Sequence, residues 1–161
     1  VFKSQFSRAL AVIPSDDSLI PSPYVITEGT NTNVVAGELV DSAGLFSDLN
    51  VQVGDVVYNT TTSTSATVVS VTSNNVIVLN ADIFLDSGDS YIIYQNSAMS
   101  GYYNGGCNLY IGGTGAVTVI TLGQDVVTFS AVPAGTVLPI QVVGVKSTAS
   151  GTTATLIRAL W

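Results

Sequence analysis

LYIGGTGAVTVITLGQDVVTFSAVPAGTVLPIQVVGVKSTASGTTATLIRALW, residues 109–161, is the stretch that decides the fold. Its Val, Thr and Ile residues suit pleated strands, and its Gly, Pro and Asp residues supply the breaks. The pattern predicts strands near Asn108–Ile111, Ala116–Thr121, Val126–Ser130, Thr136–Lys146 and Thr153–Trp161. The turns fall at Gly112–Gly115, Leu122–Asp125, Pro133–Gly135 and Ala149–Gly151. Short strands with turns about every 8–12 residues predict an all-β fold, a β-sandwich or jelly roll.

Composition extends that reading to the whole chain of 161 residues, of which 47% are hydrophobic and 9% charged. An average chain has about 25% charged residues. So little charge suggests a protein that hides much of its outside against neighbours; a monomer coated in Ser and Thr is the plainer alternative. The formal charge is −7, and its distribution is uneven. The four basic residues, Lys3, Arg8, Lys146 and Arg158, lie at the two ends, and eight of the eleven acids fall between Glu28 and Asp89. The acidic middle would repel a polyanion, so no nucleic-acid partner is expected. No run approaches the roughly 18 apolar residues that a membrane-crossing helix needs, so no membrane partner is expected either. Ala9–Ile13 is too short for the apolar part of a secretory signal. Cys107 is the sole cysteine, which forbids an intrachain disulfide and suits assembly in a reducing cytoplasm.

The rest of the chain divides by composition. Val1–Ala11 spaces Phe2, Phe6 and Leu10 four apart, as a short amphipathic helix or an arm with docking aromatics would. Pro14–Ser18 is a turn signal, and Pro21 and Pro23 make an edge or connector. Tyr24–Thr27 is a strand candidate, Glu28–Asn33 a loop by composition, and Glu38–Asn50 has room for one helical turn. Val51–Tyr94 reads as a four-stranded meander: Val51–Tyr58, Ala66–Thr72, Val76–Leu79 and Ser90–Tyr94, with a hairpin at Ser73–Asn75. Gln95–Gly106 is a polar linker.

Little in the sequence is suited to chemistry. There is no His, which removes Ser-His-Asp and Cys-His catalysis and the common zinc sites. Gly112–Gly115 lacks the following Lys-Ser/Thr and helix that a phosphate loop requires, so it reads as a glycine-rich turn. Asp82, Asp86 and Asp89 are weak candidates for Ca²⁺, without EF-hand spacing. Asn59-Thr60-Thr61 matches a glycosylation sequon. Tyr buries area while keeping a polar tip, which selects Tyr102 and Tyr103 as interface candidates, and Phe2, Phe6 and Trp161 join them as terminal aromatics that are costly to leave exposed. No cofactor is expected, and the chain reads as a non-enzyme.

The opening Ala11-Val12-Ile13-Pro14-Ser15-Asp16-Asp17, the strand Asn108–Gly113, the segment Val127–Pro139 and the late turn at Thr152–Ala154 occur in a particular order. In that order they resemble the spike-base β-domain of tailed phages and gene transfer agents. The likeness covers about 70 residues and is most specific over Phe129–Pro139. This chain departs from the pattern by the residues between the opening and Asn108. They resemble small β-modules of virion proteins from marine and cyanobacterial phages. The resemblance implies an N-terminal arm (1–6), a discontinuous β-sandwich or jelly-roll base (7–23 plus 104–161), and an inserted meander or small barrel with its linker (24–103). It implies a virion structural protein, assembled in the host cytoplasm. The leading expectation is a capsid decoration (cement) protein. As such it would be a homo-oligomer, trimeric or otherwise cyclic, that binds the major capsid protein or other virion proteins through apolar β-surfaces. The alternative is a spike or tail-fibre base at a vertex or tail, with the insert binding host or glycan.

Overall fold

A computed structural model describes residues 6–97 and 105–161. Within them the chain is all-β, with two antiparallel sheets of six strands and no α-helix. Of the two alternatives for the N-terminal segment, a short helix or an extended arm, its described part takes the extended one, because Ala9–Ala11 is strand β1. Phe2, Tyr102 and Tyr103 lie outside the described residues.

The first sheet takes β1 and five later strands: β8 (Cys107–Gly113), β9 (Gly115–Thr121), β10 (Val126–Val132), β11 (Thr136–Val145) and β12 (Thr155–Leu160). Their order is β1-β12-β8-β11-β9-β10. The ten-residue β11 pairs with β8 through Thr136–Val142 and with β9 through Val142–Val145. Alternation sends Leu109, Ile111, Val117, Val119, Val142, Ile157 and Ala159 into one core. The glycines expected to form a turn are mostly strand, and their small size serves packing. A Cβ on Gly115 would lie 2.4 Å from the Ala154 nitrogen, where the chain enters β12.

The second sheet is built from the residues between β1 and β8. Its strands are β2 (Val25–Thr30), β3 (Glu38–Val40), β4 (Val56–Asn59), β5 (Thr64–Val71), β6 (Val76–Leu79) and β7 (Ser90–Tyr94), in the order β2-β7-β4-β5-β6-β3. One reading needs correction here, and one strand is new. Glu28–Thr30 continues β2 despite its polar composition, because β7 supplies a full register of partners from Tyr94 to Ser90. Glu38–Val40 is a strand on β6 that the sequence did not mark, and the one helical turn expected within Glu38–Asn50 comes after it, where Leu49 N–H donates to the Leu45 carbonyl at 2.8 Å. Just past β2, Asn33 bridges to Val40, and Thr32 N–H donates to the Val40 carbonyl at 2.7 Å. The outermost strands therefore meet at one end, and the sheet curls around its own core of Leu39, Phe46, Val57, Ile77, Phe84, Tyr91 and Ile93.

β4 is buried at every residue, which locates the seam between the two sheets. Val57 faces the second core, while Val56 and Tyr58 belong to the first. Tyr58 meets Tyr94 edge to face, with centroids 5.0 Å apart. The Pro-rich connector straps the seam from outside. Ser15 N–H and Ile20 N–H donate to Val145 and Val143 carbonyls of the first sheet. On the second sheet's side, the Asp17 carbonyl accepts from Thr67 Oγ1 at 3.0 Å and Asn80 Nδ2 at 2.6 Å. Asp16 accepts from the Ser147 and Ser150 hydroxyls and pairs with Lys146 at 3.7 Å.

Candidate functional site

The open edge and outer face of the first sheet form the candidate site. A turn at Leu122–Asp125 launches β10: Gln124 has φ 71° and donates its N–H to Thr121, whose own N–H donates to the Asp125 carbonyl at 2.9 Å. In an antiparallel pair, bonded and non-bonded residues alternate. With Asp125 bonded inward, the backbone groups of Val126 and Thr128 point away from β9, and among the described residues no further strand covers them. Val126 is 62% exposed, Val127 is exposed, and no residue of Val126–Val132 is charged. Edge strands ordinarily carry charge, proline or a bulge to discourage pairing. Here the bulge comes late. The register shifts after Phe129, and Ala131 sits at φ 53°, so Val126–Phe129 stays in unbroken register.

On the sheet's outer face, register aligns Val137, Tyr110 and Arg158 across β11, β8 and β12. All three are exposed. Tyr and Arg are enriched among residues that dominate interface energetics. Asn108 Nδ2 reaches the Leu138 and Ile140 carbonyls at 3.0 and 3.2 Å, which pins β8 to β11 where their register shifts. This row was missed in the sequence, where attention went to adjacent tyrosines. The period-two alternation through Asn108–Ile111 held the signal, since it places Tyr110 opposite the buried Leu109 and Ile111.

The remaining candidates separate. Phe6 is 47% exposed. Trp161 packs partly on the first core, and its carbonyl accepts from Ser7 and Arg8 N–H, so its backbone anchors the N-terminal segment. Asp82, Asp86 and Asp89 are not gathered. Asp82 Oδ1 accepts Gly37 N–H and Asp89 Oδ2 accepts Asn59 Nδ2, while Asp86 contributes its backbone carbonyl to Asn31. Among the described residues no three acidic, His or Cys side chains converge as a metal site. Asn59 is fully buried, its Nδ2 bonded to Ile83 O and Asp89 Oδ2 and its Oδ1 to Thr61 and Thr62 N–H. Its amide is spent on structure and closed to a glycosylating enzyme. Burial pushes the Cys107 thiol up to about 12, which keeps it protonated and unreactive.

No protein-family model, curated protein or solved structure matches the chain.

Proposed function

We propose that this chain is a virion structural protein of a tailed phage or related particle, a decoration protein that docks by its first sheet. The observation that carries the reading is the uncharged β10 edge, together with an exposed Val137–Tyr110–Arg158 row on the same sheet beyond β9. The eight acids of residues 28–89 belong to the other unit, so that unit faces away from the shell and its packaged nucleic acid. Fully burying a valine contributes about 1.5–3 kcal/mol. Association costs roughly 4–15 kcal/mol. One strand edge is therefore too small a contact on its own, and the row and symmetric repetition supply the remainder.

The test has two arms. Mass spectrometry of purified particles should find the chain, and its absence sinks the reading. In solution, light scattering should show a homo-oligomer that Val126→Lys dissociates while leaving the fold intact. A wild-type monomer removes self-pairing through β10. The second reading, a spike or tail-fibre base, is favoured by the two-unit layout, with one sheet to dock and another to project. Copy number separates them: a count close to that of the shell protein supports decoration, and a low count supports a vertex or tail.

A further inference from the structure

We propose that a cleft at one end of the second sheet, between Tyr24 and Asp55, binds a neutral saccharide. The cleft measures about 340 Å³. That lies within the roughly 300–1,000 Å³ typical of small-molecule sites. Three segments converge there. Tyr24 lies just before β2 and Gln95 just after β7, tied by Gln95 N–H donating to the Tyr24 carbonyl at 2.9 Å. The third segment, Leu49–Asp55, is the turn that leads into β4.

The lining has the two chemistries that a sugar presents. A pyranose has an apolar C–H face, and Tyr24, 59% exposed, offers a flat ring for it, with Leu49 and Ile26 alongside. A pyranose also has hydroxyls that both donate and accept, and amides answer them in both senses. Asn50, Gln52 and Gln95 line the cleft. The Gln95 side chain is half-buried and has no hydrogen-bond partner among the described residues.

The polar floor is already fixed in place. Asp55 is 2% exposed, its Oδ2 accepting Gln52 N–H at 2.8 Å and its Oδ1 accepting Asn96 N–H at 2.9 Å. Gln52 Nε2 donates to Asn50 Oδ1 at 3.2 Å. Each Asp55 oxygen keeps acceptor capacity for a hydroxyl. Burial holds its carboxyl above the ordinary value, so a further donor is welcome there.

Charge selects among sugars. The cleft contains no Lys or Arg, and its one ionisable acid would repel a carboxylate, sulfate or phosphate. A cation is the competing occupant, but the two backbone N–H groups already answer the carboxylate, and one ring is no aromatic cage. The inference is independent of the decoration reading, because that docking surface lies on the other sheet, and it deepens the second reading, in which the inserted unit binds host or glycan.

The test is saturation-transfer NMR on the full chain. The probes are methyl α-glucoside, methyl α-mannoside, methyl β-galactoside and N-acetylglucosamine, with sialyllactose and choline as charged comparators. Transfer to ring protons of at least one neutral sugar is expected, and it should exceed both comparators. Tyr24→Ala and Gln95→Ala should each weaken it at least about tenfold with an unchanged melting temperature. The proposal is overturned by no transfer to any neutral sugar, by preference for a charged probe, or by binding that survives both substitutions.

Discussion

The first sheet ends in open edges at β1 and β10, whereas the second brings its outer strands together through Asn33 and Val40. Their interiors differ in the same sense. The first core is mostly aliphatic, with the Tyr58–Tyr94 pair where it meets the second sheet. The second encloses polar clamps: Tyr91 Oη donates to Asp41 Oδ2 at 2.7 Å, and Asn59 joins Asp89 to the Ile83 carbonyl. A small curled sheet has long loops and many backbone groups to satisfy, and Asn and Asp side chains do so from within. An open sheet leaves its unsatisfied groups at the rim, where a neighbouring strand can reach them. One unit is completed by its own side chains, and the other keeps open edges that a partner strand could pair with.

The sharpest way to break that contrast is to damage one core and watch the other. Phe84 is fully buried, 6.4 Å from the Tyr91 ring and at right angles to it. Phe84→Ala should cost about 3–5 kcal/mol. Hydrogen exchange should show amides of β4–β7 losing protection before those of β8–β12. Equal loss in both sheets would mean that the shared strand β4 makes them one cooperative unit.

Tyr91→Phe probes the polar clamp alone. It keeps the ring and strands Asp41 Oδ2 in a nearly dry site, since Asp41 is 6% exposed. An unsatisfied buried acceptor costs about 1–3 kcal/mol. Urea unfolding checks this, and a neutral result would show that water replaces the hydroxyl. Burial and the Asp41 carboxylate together hold the Tyr91 phenol far above its usual range, so the clamp stays intact through alkaline conditions that ionise exposed tyrosines.

The strap between the sheets adds a pH-dependent contribution. Hydrogen bonds from the Ser147 and Ser150 hydroxyls, with smaller help from Lys146, hold the Asp16 carboxyl below its ordinary value of 3.8. A group lowered in the folded state binds fewer protons there than in the unfolded chain. Its stabilisation is full above the ordinary carboxylate value and drains as pH falls through the lowered one. The stability gap between the parent and Asp16→Ala should therefore be constant near neutrality and shrink below pH 3.8. Because Asp16 is solvated, the gap should be modest, and a gap that widens in acid would refute the assignment.

What the sequence could reveal follows the same division. In Asn108–Trp161, alternation and glycine breaks located all five strands, because a half-buried sheet writes a period of two into its sequence. Val76–Leu79 and Ser90–Tyr94 were legible for the same reason. Glu28–Thr30 was not, since an exposed polar stretch has no apolar face to record, and Glu38–Val40 was not, since three residues around the single buried Leu39 are too few to show a period. The residues of the proposed docking row were the least legible. Tyr110 and Arg158 stand 48 positions apart, and only the register of β8 with β12 makes them neighbours. The saccharide cleft likewise draws on three separate segments that composition had marked as strand start, helical turn and linker.

The smallest effect concerns the feature that keeps the open edge short. Ala131 holds φ 53° in the β10 bulge, a left-handed conformation that costs a residue with a Cβ roughly 1–2 kcal/mol. Glycine adopts it freely but loses about 0.5–1 kcal/mol more conformational entropy on folding. The difference predicts that Ala131→Gly stabilises the monomer by about 0.5 kcal/mol, read as a small rise in urea midpoint. Ala131 is exposed, so the lost methyl has little packing to forfeit. The bulge and the unbroken Val126–Phe129 register should both persist, leaving self-association unchanged. A fall in stability would show that the Ala131 methyl makes a contact the strain argument overlooks. A rise accompanied by weaker association would show that the bulge itself belongs to the interface, and would extend the docking edge beyond Phe129 to Val132.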